Sequence, residues 1–506
     1  MSEERSSRDF GLPRTVAIIV FVILIAYPFS RILQRADFGG AMPAELWPTA
    51  FVSVEQAGGS LLASLALGVP LGVLYAGAWS RWLRGFSIAS FSLPGLFIVG
   101  MMSEIFRGTE FRFGLATVVA AHAFLNAPWI ALATAEGIRS VPRAWVDAAR
   151  TLGATRLRAF VRIELPWIGR RVALASAQVF ALCLMSFAIV LILGGGPPVS
   201  TLETEIYASV RGSGLYLGNA AWFAIAQLFL AAFPLLLVAG LRPPKEYRDS
   251  LAARSYTRPV NAPGKVAIAH VIAATWLVYP GVCFFRATSY AGFANLFPNQ
   301  ELQSAIVVSL EIAFSVIATT LTLGAVFAIG ARNSRFVRML SAVPAGLSPL
   351  LVALGFFLAY AKYIDPFEGS VPGMIAVQAT LFLPFALRFF LPLLDSESSG
   401  PRRDLQNAAR TLGASPWSAW RKLEWPRWRR SALRLSALVF VWTLSELAAA
   451  SFFGSERLTT LGVLLVRWMA QYRFEDVNAI LFCLYILSSG VLLSVGLRES
   501  SAGGEA

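Results

Sequence analysis

The chain has 506 residues, 56% of them hydrophobic and only 14% charged, with a mean hydropathy of +0.63. An ordinary soluble domain carries roughly 25% charged residues, and a soluble protein this apolar would expose adhesive patches. The 43 Lys and Arg exceed the 29 Asp and Glu by 14, but they lie in short loops between apolar runs and not on a basic helix interleaved with aromatics. That pattern excludes a nucleic-acid footprint and fits a membrane protein obeying the positive-inside rule. Cys183, Cys283 and Cys483 are far apart, and His122 and His270 are the only histidines, so no metal-ligand spacing and no disulfide framework is present.

In chain order, the first apolar run, 15–33, follows Arg5, Arg8 and Arg14. No small-residue cleavage site follows promptly and the run is long enough to span, so it reads as a retained helix and not a signal peptide. Further spans are predicted at 58–79, 86–106, 113–135, 172–194 and 217–241, then at 266–285, 304–330, 337–361, 371–394, 432–453 and 477–497. The fold class is therefore an all-α polytopic membrane protein with about twelve transmembrane helices in two six-helix halves. The stretch from Arg242 to Lys265 is rich in Pro, Arg and Lys, which divides the chain into a first half 1–241, a cytoplasmic linker 242–264 and a second half 265–506. Basic residues concentrate at Arg81 and Arg84, in 137–171, in the linker, at Arg332, Arg335 and Arg338, and in 398–434. The positive-inside rule puts these loops, and both termini, in the cytoplasm.

The two longest basic loops repeat each other. AARTLGA occurs at 148–154 and again at 408–414, a shift of 260, and thirteen residues separate Gly153 from Pro166 and Gly413 from Pro426. The likeness extends to Ser53-Val54-Glu55 and Ser309-Leu310-Glu311, to Leu67-Gly68 and Leu323-Gly324, and to Ser186 with Gly195 against Ser445 with Gly454. Each half is a copy of one unit. Within the loop, Gly153 allows a left-handed turn that ends one short helix, and Thr155 or Ser415 caps the next. That second helix carries Leu157, Phe160, Val161 and Ile163 and is expected to end before Pro166. One such loop reads equally as an interfacial amphipathic helix; two with one spacing point to a shared docking task.

At these residues the chain resembles the permeases of type I ABC importers, whose signature is the EAA loop: Glu-Ala-Ala, three residues, Gly, then about a dozen residues to an apolar-Pro ending. The matching positions are Asp147-Ala148-Ala149 with Gly153 and Pro166, and Asn407-Ala408-Ala409 with Gly413 and Pro426. The acidic first position has become Asp in one copy and Asn in the other. The resemblance implies that each loop is a coupling helix seated on one of two cytoplasmic ATPase subunits, and that an external (periplasmic) binding protein delivers a small-molecule substrate to this inner-membrane component. The fused two-half form resembles the branch that includes ferric-iron and thiamine importers. Ser186 to Pro197, Thr201-Leu202-Glu203, Ile206-Tyr207, the stretch 121–128, Phe452-Phe453-Gly454 and Gln471-Tyr472-Arg473 are similar to the thiamine permeases. Ferric iron is the alternative cargo. A proton- or sodium-coupled carrier would also be duplicated, but it has no motor for tandem loops to engage.

The sequence contains no G-x-x-x-x-G-K-[ST] and no nucleophile–base pair. ATP hydrolysis is thus expected in a separate subunit, with this chain non-enzymatic and carrying no cofactor or metal. Ionisable groups inside spans are functional candidates by default. Glu446, the deepest acid, either lines the translocation path or pairs with a neighbour such as Arg388. His122, with Asn126 close by, either bonds between helices or touches substrate.

Overall fold

The computed structural model describes residues 11–36, 42–239 and 262–502, apart from 195, 197–198, 213–215, 297, 333, 341–342, 361, 364–367 and 398–400. The predicted linker 242–264 falls almost wholly outside the described residues. Helices and short turns account for the rest, and no strand occurs among the described residues.

The first copy begins with α1 (Pro13–Arg35), continues with α2 (Leu46–Ala76), and then bends by 84° between α3 (Arg81–Phe91) and α4 (Gly95–Ile105). It goes on through α5 (Leu115–Arg139), α6 (Arg143–Thr151), α7 (Arg156–Leu184), α8 (Ala188–Leu193), α9 (Leu202–Arg211) and α10 (Leu217–Ala239). The second copy comprises α11 (Pro263–Ala287), α12 (Gln300–Arg332), α13 (Pro349–Tyr360), α14 (Val371–Glu397), α15 (Pro401–Thr411), α16 (Pro416–Leu423), α17 (Trp425–Leu444), α18 (Ala448–Phe453), α19 (Leu461–Ala470) and α20 (Phe474–Ala502). Among the described residues nine helices are long and apolar enough to cross a membrane, or ten if α3 and α4 form one bent span. The predicted spans 337–361 and 432–453 fall on broken pieces. The former is divided into Arg335–Leu340, a 3₁₀ turn at Val343–Gly346 and α13; the latter straddles the gap between α17 and α18.

The helices collect into two compact units that do not follow chain order. One gathers the described parts of Met1–Met42, Ile206–Ala224 and Asn299–Arg467; the other gathers Pro43–Glu205, Ile225–Pro298 and Trp468–Ala506. In the first of these, α1 packs on α12 and α13, so the opening helix of the chain is housed with the second copy. In the other, α11 and α20 pack on α3, so the opening and closing helices of the second copy are housed with the first.

Each unit is centred on one tight helix pair, made close by small residues. Gly68 and Gly72, four apart on α2, face α5: a Cβ at Gly68 would lie 2.6 Å from Ile130 Cβ, and one at Gly72 would lie 2.5 Å from Thr134 Cβ. In the other unit a Cβ on Gly324 of α12 would lie 2.5 Å from Ala386 Cβ of α14. Lipid tails are as apolar as leucine, so helix association in a bilayer relies on such backbone approach and on interhelical hydrogen bonds.

Candidate functional site

The two basic loops fold alike at their turns. In the first, Gly153 N–H donates to Arg150 O (3.0 Å) and Ala154 N–H to Ala149 O (2.9 Å); in the second, Gly413 N–H donates to Arg410 O (2.9 Å) and Ala414 N–H to Ala409 O (3.0 Å). This 5→2 and 6→1 pair is the Schellman arrangement, with glycine at the first position past the cap. The glycines hold φ of +86° and +85°. A Cβ at either would meet nothing within 4 Å, so the backbone angle alone demands glycine there. The threonine of the repeat donates to the carbonyl at the altered acidic position, Thr151 Oγ1 to Asp147 O and Thr411 Oγ1 to Asn407 O, both at 2.7 Å. As expected, Thr155 caps the next helix by accepting from Arg158 N–H (3.3 Å), and Ser415 does so from Ser418 N–H (3.2 Å). Asp147, Ala148, Asn407 and Ala408 are exposed; Ala149 and Ala409 are half-buried.

The turn therefore presents a rigid tip to solvent. Leu152 and Leu412, beside the glycines, are each 88% exposed. Ala149, Leu152, Ala154, Arg158 and Ile163 line a shallow groove of about 330 Å³. An exposed leucine at each tip, with an arginine-rimmed groove beside Leu152, carries the features of a docking surface.

Past the tip the copies diverge. The helix after Thr155 does not end before Pro166 as expected. It passes through a π turn, Phe160–Glu164, and continues as α7 to Leu184, with Pro166 just past the π turn, where the altered hydrogen-bond pattern accommodates a residue that has no N–H to give. In the second copy α16 does stop, at Glu424 (φ −102°, ψ −40°), and Pro426 opens the separate α17. Glu424 is buried and is held by Arg427 Nη1 (3.2 Å) and Gln406 Nε2 (3.3 Å). In the first copy, the place of Gln406 is taken by buried Val146 and that of Arg427 by Trp167. Trp167 donates to Ser140 Oγ (2.9 Å) and packs edge-on against Trp145.

The structure also corrects the register of the repeat beyond the loops. Leu191 N–H bonds Phe187 O as Ser451 N–H bonds Leu447 O, and Gly194 N–H bonds Val190 O as Gly454 N–H bonds Ala450 O, all at 2.8 Å. The shift of 260 thus persists to Gly194, and Ser186 corresponds to Glu446, not to Ser445. The shift becomes 259 only past the glycine-rich stretch, where Leu202 N–H donates to Ser53 Oγ (2.9 Å) and Leu461 N–H to Ser309 Oγ (2.8 Å). These two serines, matched in the sequence repeat, fasten equivalent helix starts.

The intramembrane candidates separate into two clusters, one in each unit. His122 and Asn126 lie buried on α5. Gln56 Nε2 donates to His122 Nδ1 (2.8 Å), with Ser60 Oγ at 3.3 Å, and Asn126 Nδ2 donates to His122 O (2.9 Å) and Cys183 Sγ (3.5 Å). The set joins α2, α5 and α7. His122 Nε2 and Gln56 Oε1 have no hydrogen-bond partner among the described residues. Glu446 is not inside a helix but in the gap between α17 and α18. Both its oxygens accept Ala449 N–H at 3.0 Å, and Gln378 Nε2 lies 3.4 Å from Oε2. Arg388 is exposed ten residues further along α14, so Gln378 takes the place expected of it. One buried acid was not among the residues that the sequence singles out as site candidates. Glu203 is fully buried at the start of α9, where Gln227 Nε2 donates both to it (3.1 Å) and to Leu184 O (2.7 Å).

Apolar helices in two copies, each bearing a rigid, exposed turn on a polar loop, define a polytopic membrane transport component. The chain belongs to the family of binding-protein-dependent transport system inner membrane components, which matches residues 64–242 and 290–499, one copy in each half. It is 27% identical over 479 residues to the thiamine transport system permease protein of Brucella suis biovar 1, covering 88% of this chain and 87% of that protein. Against the same-named protein of Haemophilus influenzae it is 24% identical over 477 residues, 86% of each. A molybdenum transport system permease protein of Mycobacterium bovis is 27% identical over 219 residues, 39% of this chain but 83% of that protein. Less than half of this chain thus matches the greater part of that protein.

Proposed function

We propose that this chain is the permease of an ATP-driven importer for thiamine or thiamine phosphates, working with two cytoplasmic ATPase subunits and a periplasmic binding protein. Its basic loops and both termini face the cytoplasm. One observation carries the coupling role: two glycine turns with the same φ, the same hydrogen bonds and the same 88% exposed leucine, on loops that otherwise differ. Closure of the ATPases pushes both tips at Asp147–Gly153 and Asn407–Gly413, the halves rock, and the path opens alternately to each side. The chain itself performs no hydrolysis and holds no cofactor; ATP is used by its partners. The thiamine assignment is supported by relatives of that name aligned over nearly the whole chain. Of the path candidates, His122 and Asn126 serve to tie α2, α5 and α7 together. The test is uptake of labelled thiamine in a thiamine-requiring strain lacking its own importer, with ferric iron and molybdate run alongside. Thiamine uptake dependent on this chain is the expected result; uptake of iron or molybdate without thiamine would reassign the cargo.

A further inference from the structure

In each copy the span that rises from the basic loop breaks at its far end and resumes as a six-residue helix, α8 or α18. In the corrected register, the residue in the break is Ser186 in one copy and Glu446 in the other. The residue at the second position of the following helix is Glu203 in one and Gly462 in the other. A Cβ on Gly462 would lie 3.1 Å from Glu446 O and 3.6 Å from Ser445 O, so that position looks straight at the break. Each copy thus brings one carboxylate to the break, supplied in one case from the facing helix and in the other from the break itself.

We propose that Glu203 and Glu446 are equivalent positioning residues, each fastening the break of its own half so that motion of the loop helix reaches the short helix beyond. The inference rests on the transport reading. A break inside a bilayer uncovers backbone groups that cost several kcal/mol each if left unbonded. Glu446 accepts the N–H of Ala449 with both oxygens. Glu203 acts through Gln227, whose amide bridges it to the carbonyl of Leu184, the last residue before the break. A carboxylate in a span is itself costly, so a neutral partner would serve if only hydrogen bonds were required. That the carboxyl is kept while its point of attachment differs marks the carboxyl as the functional element. Ser186 and Glu446 are both part-buried, so a glutamate at 186 would meet a degree of burial like that of its counterpart.

Relocating the carboxyl tests this. In the full-length transporter, Glu203→Gly and Glu446→Ser should each lower the maximal rate of thiamine uptake about tenfold or more, the effect of ~1.4 kcal/mol, with KM unchanged. The double substitution Ser186→Glu with Glu203→Gly, which copies the second half's arrangement into the first, should restore most of that rate. The same pattern is expected in the thermal unfolding midpoint of the purified chain: lowered by the single change, recovered by the double. A double variant no better than Glu203→Gly in both readouts overturns the proposal, as does a raised KM at unchanged maximal rate, which would make the carboxylate a substrate contact. If Glu203→Gly fails to insert, insertion of the double variant supports the equivalence and its failure overturns it. Absence of thiamine uptake by the unaltered chain would sink the cargo assignment alone, since the midpoints still read the carboxylates.

Discussion

The loop at 143–171 and the loop at 401–430 agree where they turn and part company where they join the membrane. At the turn, six corresponding residues make the same backbone bonds and a glycine holds the same left-handed angle. At the junction, one copy runs through a π turn within a continuous 29-residue helix, where Trp167 packs edge-on against Trp145. The other stops at a buried glutamate clamped by arginine and glutamine. The shared part is exposed to solvent, whereas the unshared part is packed within its own half. Duplicated halves are free to drift where each answers to its own packing, and under the proposed coupling role are held alike where both answer to one kind of external surface.

The sharpest way to break the comparison is at the unshared part. Glu424→Ala leaves Arg427 and Gln406 without their acceptor and should cost about 2–3 kcal/mol, whereas Glu164→Ala, in a half-buried π turn, should cost less than about 0.5 kcal/mol. Thermal unfolding of the purified chain reads the difference, and equal losses would show the two junctions to be alike. Next in size are the glycines. Gly153→Ala and Gly413→Ala each place a Cβ at positive φ, worth about 1–2 kcal/mol, with no clash to confuse the reading. Both should retain membrane insertion, reduce uptake, and do so equally; unequal effects would mean that the tips do not meet equivalent partners. The smallest effect is expected at the caps. In a background lacking Cys183, Cys283 and Cys483, Thr155→Cys and Ser415→Cys should each cost about 1 kcal/mol of helix stability. Both thiols should react with a membrane-impermeant reagent only after the membrane is opened, and labelling in intact cells would place that loop outside.

The turns were legible in the sequence because everything that makes them is local: a helix-forming stretch, one glycine and a capping hydroxyl within ten residues. The duplication was legible for the same reason. The breaks were not, since hydropathy sums over a window and a span interrupted at Ser186 or Glu446 is as apolar as a continuous one. The register slipped by one residue at the break because the length difference hides in the glycine-rich stretch after Gly194, where no side chain marks the correspondence. Glu203 was read as part of a resembling stretch and not as a buried acid, because its burial depends on Gln227, distant in the chain. For the same reason Arg388 stands in the sequence as one candidate partner of Glu446: charge suggests a cation, while the fold supplies Gln378.

The housing of α1 with α12 and α13 has a consequence for how the chain is made. Arg35 leaves the ribosome 265 positions before Gln300, so at about 5–20 residues per second the first helix waits roughly 10–50 s for the surface it will pack on. During that time α12 and α13, the helices it packs on most, do not yet exist. It is the most apolar of the nine spans, and only 22% of its most apolar stretch is buried in the finished fold, so it loses little by waiting. A helix inserted early and docked late must be content in the bilayer alone, and the composition of α1 meets that requirement before any tertiary contact exists.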